Sequence, residues 1–221
     1  IVRRLEKLGK IKDAGINPFP YRYSASHSIG EILANQDELL DTNVSISGRI
    51  VSFRKMGKAS FIHIQDESTK LQAYVKNDNL PDGVYDNIVR NLDLGDIIGI
   101  SGTLFITKMG ELTIKASGLE ILSKNIRPLP NLKEKDGEAF DAFEDKELRY
   151  RHRHLDLIAN PEVMNVFKLR TKIISALRSE LDRQNYIEVE TPVLQSIYGG
   201  ASARPFTTFH NTLDQKLYLR I

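Results

Sequence analysis

Between Asn43 and Leu122 the chain alternates apolar and polar residues, and no other feature limits its fold as much. Alternation has a period of two, so a segment that keeps one apolar and one polar face is a half-buried strand. Five such segments follow one another: VSISGRI, SFIHIQD, LQAYV, DIIGISGTLFIT and ELTIKASGLEIL. MGK, DESTK and KMG are the turns among them, and GVYDNIVRNL is a helical insert after the third.

Five strands with a helix between the third and fourth is the order of an OB-fold, a small Greek-key barrel whose outer face can bind single-stranded nucleic acid. Parity assigns the faces. Ile62 and Ile64, then Leu71, Ala73 and Val75, then Leu112, Ile114 and Ala116 point inward. Phe61, His63 and Gln65, then Lys70, Gln72 and Tyr74, then Glu111, Thr113 and Lys115 point outward. Alternation breaks after Ile50, so parity gives Arg54 no face. An outward Phe61 is costly unless something covers it. An unpaired base does so, with stacking worth about 1–3 kcal/mol; so does a neighbouring helix of the same chain, and parity does not choose between them.

Composition narrows the function classes. The 221 residues suffice for one large or two small domains, with 41% hydrophobic and 27% charged residues, the profile of a soluble globular protein. No cysteine is present, which excludes a disulfide framework, thiol catalysis and a Cys-based zinc site. Neither a long apolar run nor a signal peptide is visible, so the expected location is cytoplasmic. The net charge is only +2. Any nucleic-acid binding therefore depends on local placement of charge. The sequence starts at Ile1 without Met and stops inside LYLRI, from which both ends are expected to be cut.

Four regions follow: a helical extension packed on the barrel over 1–42, the barrel over 43–123, a linker over 124–146, and a second domain beginning at 147. In the extension, Val2, Leu5, Leu8 and Ile11 mark a helix that ends at Gly15, and Arg3, Arg4, Lys7, Lys10 and Lys12 cover its other faces. Those cations are either a solvated face or a strip that meets a phosphate backbone. Ser28 and Glu31 form a capping box for the next helix. In RYRHRHLDL, His152 and His154 are two apart, which does not suit a shared metal. Pro161 opens a long helix with a broad apolar stripe that should pack against something large. YIEVETPVL reads as a strand closed by Pro192.

The long helix followed by YIEVETPVL resembles motif 1 of the class II aminoacyl-tRNA synthetases, and YRHRHLDL resembles the hinge of the subgroup with an N-terminal OB-fold. GKASFIHIQD, LPDGVYD, LGDIIGISGTLF, KMGELTI, IRPLP, GGASARPF and LYLRI together resemble the bacterial-type lysyl enzymes of that class. The implied fold is an α+β and all-β mix: a five-stranded barrel with flanking helices, then the start of an antiparallel-sheet catalytic domain. The implied function is ATP-dependent activation of lysine and its transfer to tRNA(Lys), with Mg²⁺ as a further cofactor. By the same resemblance Arg54, Phe61, Gln72 and Glu111 contact the anticodon, Phe61 by stacking. Gly200 and Ala201 border the lysine pocket, and Pro192 belongs to a homodimer interface. Arg204 and Phe206 match family positions without an assigned chemical step. The family's motifs 2 and 3, which carry its catalytic arginines and metal-binding glutamates, have no counterpart up to Ile221. No catalytic or metal-binding residue is therefore expected here. The alternative is a stand-alone RNA-binding barrel without catalysis.

Overall fold

A computed structural model describes residues 1–57, 59–67, 69–130, 133–135, 138–140, 143 and 145–221. They form two compact units, Ile1–Leu155 and Asp156–Ile221.

In the first unit, β1 (Asn43–Met56), β2 (Ala59–Gln65), β3 (Lys70–Lys76), β4 (Ile97–Ile106) and β5 (Leu112–Ser123) close a barrel in the order β1-β2-β3-β5-β4. All neighbours are antiparallel except β3 and β5, which run parallel. The inward residues are those that parity assigns: Ile62, Ile64, Ala73, Val75, Ile114 and Ala116 have no exposed surface. Gly48 occupies an inward position of β1 where a Cβ would sit 2.6 Å from the Gln65 carbonyl oxygen, so only glycine lets the strands approach. The helical insert is shorter than its sequence suggests. It is one turn, Val84–Asn87, and a 3₁₀ turn, Val89–Asn91, with Tyr85, Val89 and Leu92 buried.

β1 runs further than VSISGRI. Its register against β2 shifts between Ile50 and Ser52, leaving Val51 as an extra residue. Such a bulge reverses the parity of all that follows. Ile46 and Ile50 face the core before it; Phe53 packs toward the core after it, and Val51 is exposed.

Two helices close on the barrel. In α1 (Val2–Asp13) only Leu8 and Ile11 of the expected apolar face are buried, while Val2 and Leu5 stay largely exposed. Gly15 follows at φ +75°, where glycine is the natural stop. In α2 (Ile29–Ala34) the capping box forms as expected, and Ile29 and Ile32 are fully buried. The backbone N–H of Ile29 also donates to Asp66 in the β2–β3 turn, at 2.7 Å. The short α3 (Gln36–Leu39) leads into β1, and the one-turn helix Val84–Asn87 is α4.

Within the expected linker, β6 (Lys133–Lys135) and β7 (Glu138–Phe140) pair antiparallel; residues 131, 132, 136, 137, 141, 142 and 144 lie outside the described residues. RYRHRHLDL is helical but broken at His152, between α5 (Lys146–Arg151) and α6 (Arg153–Ala159). The break brings His152 and His154 edge to face, with ring centroids 6.1 Å apart.

In the second unit α7 (Pro161–Arg183) has the expected proline in its first turn. YIEVETPVL departs from expectation. Only Leu194–Gln195 (β8) is a strand, joined to β10 (Gln215–Leu219) and through it to β9 (Thr207–His210). Residues 186–193 have no pairing strand among the described residues, and alternation alone does not make a strand without a partner edge. Among the described residues, no helix is long and apolar enough to cross a membrane.

Candidate nucleic-acid interface

The outer face of β1, β2, β3 and β5 gathers the residues that the sequence singled out. Across the ladder Arg54 pairs with Phe61, and Phe61 with Tyr74. One step along, His63 pairs with Gln72, and Gln72 with Thr113. Partners in register share a face. Arg54 therefore joins Phe61 on the outside, and the bulge at Val51 puts it there; on the parity of Ile46 and Ile50 it would point into the barrel.

Phe61 is half-buried, and its ring lies 5.1 Å from that of Tyr74 at an angle of 45°. The pair is an aromatic platform of the kind on which bases stack. Tyr74 was placed on this face by parity, but its contact with Phe61 only emerges from the register. Gln72 differs from the open residue that parity suggests: it retains only 7% exposure and lies between His63 and the fully buried Thr113.

Glu111 comes from the β4–β5 turn. Thr107 and Glu111 close that turn by backbone and side-chain hydrogen bonds, with Gly110 at φ +82°. Its carboxylate accepts a hydrogen bond from His63 Nε2 at 3.1 Å, a contact that sequence spacing gave no sign of.

The first unit also holds an ionic cluster. Lys124 Nζ donates to Asp93 at 2.6 Å and to Asp96 at 2.7 Å, and Lys7 of α1 pairs with the other oxygen of Asp93. Asp96 also accepts from the backbone N–H groups of Asp93 and Asn125, both at 2.8 Å. Burial pushes the Asp96 carboxyl above the ordinary aspartate value, against the pull of Lys124. Burial acts the same way on Asp93, but hydrogen bonds from Lys124 and Lys7 outweigh it and hold that carboxyl low. Burial, and then the Lys7 ammonium, lower the neighbouring Lys55. The α1 cations thus separate: Lys7 is tied to Asp93, and Arg4 donates to the Asn125 carbonyl at 2.9 Å. Arg3 and Lys10 line a groove of about 380 Å³ with Glu6, Asp86 and Arg90.

In the second unit Gly200 sits at φ +102°, a conformation that demands glycine, and an added Cβ would meet nothing within 4 Å. Gly200, Ala201 and Arg204 are exposed. Pro192 is exposed too and lines an open hollow of about 590 Å³ with Leu194, Gln195, Tyr198 and Gly199. Arg220 ties this segment to the sheet edge: its backbone N–H donates to the Val193 carbonyl, and its side chain to Thr191.

Barrel and second unit each match a known family. Residues 44–122 match the OB-fold nucleic acid binding domain, and residues 145–221 match the class II tRNA synthetases (D, K and N). The second unit is thus similar to the class II tRNA synthetases of that group. Within it the similarity is to lysine–tRNA ligases: over 218 residues the chain is 48% identical to that of Carboxydothermus hydrogenoformans and 49% identical to that of Pelotomaculum thermopropionicum. These alignments take in 99% of the chain but 43% and 42% of the relatives, so the chain spans less than half of their length.

Proposed function

We propose that this chain is the RNA-reading and subunit-joining portion of a lysine–tRNA ligase, an enzyme that activates lysine with ATP and transfers it to the 3′ end of tRNA(Lys). The face on which Arg54, Phe61 and Tyr74 stand in one register, with Gln72 and Glu111 beside them, carries the reading. In it Phe61 stacks on an anticodon base, Gln72 and Glu111 bond base edges, and Arg54 meets a base or a phosphate.

Gly200 and Ala201 form one wall of the lysine pocket, where a backbone without a side chain lets the substrate ammonium approach. Pro192 and α7 form a homodimer interface. The exposure of Val166, Ile173 and Leu177 along α7 supports this, since an apolar stripe of that length is stabilised by burial against a partner. A tRNA partner favours a cytoplasmic location.

Among the described residues, no three His, Asp or Glu side chains converge on one point. ATP and Mg²⁺ belong to the proposed whole enzyme.

Binding of a UUU anticodon stem-loop to the 221-residue chain tests the reading. Phe61→Ala should weaken it by about 1–3 kcal/mol with little change in thermal midpoint. Equal affinity for the parent chain and the variant would sink it.

A further inference from the structure

We infer that His63 is a positioning residue of the base-reading face: it holds the Glu111 carboxylate so that the oxygen left over meets a base N–H. The inference rests on the anticodon reading proposed above and adds a residue to it.

Glu111 stands at the tip of the β4–β5 hairpin with its side chain 51% exposed. A free glutamate there would sample several rotamers, and ordering it on binding would weaken the complex. The His63 side chain is 24% exposed and rises from β2, which is not a neighbour of β5 in the barrel. Its bond to Glu111 crosses over β3 at Gln72, the register partner of His63. An ionised carboxylate only accepts, so His63 Nε2 is the donor. The bond engages Oε1 and leaves Oε2 for another donor.

The outcome is a line of polar groups in which His63 stands on β2, Gln72 on β3 and Glu111 in the β4–β5 turn. A carboxylate held in that line suits the N3–H of uracil, which is a donor, and not N3 of cytosine, which is an acceptor. His63 thereby acts on base preference through Glu111 without touching the base.

The test uses the 221-residue chain with stem-loops carrying UUU, CUU, UCU and UUC. His63→Leu, which keeps a strand-forming side chain but has no donor, should lower affinity for UUU by about fivefold. It should also shrink the preference for uracil at the same single position that Glu111→Ala affects. The double variant should bind no worse than Glu111→Ala alone, and His63→Gln, which retains an N–H donor, should recover most of the preference. If His63→Leu keeps full affinity and preference, or adds its loss to that of Glu111→Ala, His63 has no such role, even where Phe61→Ala still weakens binding. If Phe61→Ala also leaves UUU binding intact, the anticodon reading fails and this inference fails with it.

Discussion

Lys124 has no exposed side-chain surface and ends between two aspartates, one of them equally buried. Removing one partner of such a cluster leaves the other as an uncompensated buried charge. Lys124→Met should therefore cost about 3–5 kcal/mol in urea denaturation. The pH dependence separates the two acids. The folded Asp93 carboxyl lies below its ordinary value of 3.8, so its contribution is complete above that pH and is lost as pH falls through the lower folded value. Asp96 has the opposite sign: its folded carboxyl lies above 3.8, the unfolded chain binds fewer protons, and its contribution worsens as pH rises through the folded value. Without Lys124, Asp96 moves further in that direction. The deficit of Lys124→Met should then grow as pH is raised from below 3.8 toward neutrality, and a deficit that shrinks over that range would contradict the assignment.

At the scale of elements, the bulge at Val51 decides what β1 presents. Inserting one residue between Ser52 and Phe53 would turn Phe53 outward and Arg54 to the inner face, so the insertion should lower the thermal midpoint sharply and abolish stem-loop binding. Val51→Ala, at a position 39% exposed, should shift stability by no more than about 0.5 kcal/mol. An insertion that still binds would mean that β1 absorbs the slip. The bulge was legible only as a failure of alternation after Ile50. Strands β2 and β3 were legible because one face of each is buried along its length, whereas in β5 the pattern persists only up to Ala116, where the register against β4 shifts and Leu119 and Ile121 take over the inner face. Residues 186–193 show the limit of such reasoning: YIEVETPVL has a strand's composition, but without a paired edge among the described residues these positions form no ladder. Half of the α1 face was misjudged for a related reason. Spacing shows which residues share a stripe, not how much of the stripe the barrel reaches, and it reaches Leu8 and Ile11 only.

At the scale of the whole molecule, net charge is close to neutral, so the effect of salt on RNA binding should report only the cations left for phosphate. Arg3 and Lys10 belong in that set; Lys7, tied to Asp93, does not. Replacing Arg3 and Lys10 by Gln should flatten the slope of log affinity against log salt by about 0.8 per lost contact, while Lys7→Gln should act on stability and leave the slope alone. Removing residues 1–15 would confuse the two, since Leu8 and Ile11 would leave the core with the charges.

Alternation by itself determined the five strands, the inward residues and the outward Phe61, because a barrel wall is dry on one side and wet on the other. The capping box and the glycine stop of α1 were equally local, since backbone geometry demands those residue types wherever they stand. Only the tertiary structure decided which outward residues meet. The Arg54, Phe61 and Tyr74 row, the burial of Gln72 between β2 and β5, and the reach of His63 to Glu111 depend on strand order and on one inserted residue. Those are properties of neighbours far apart in the chain, and periodicity within a segment carries no information about them.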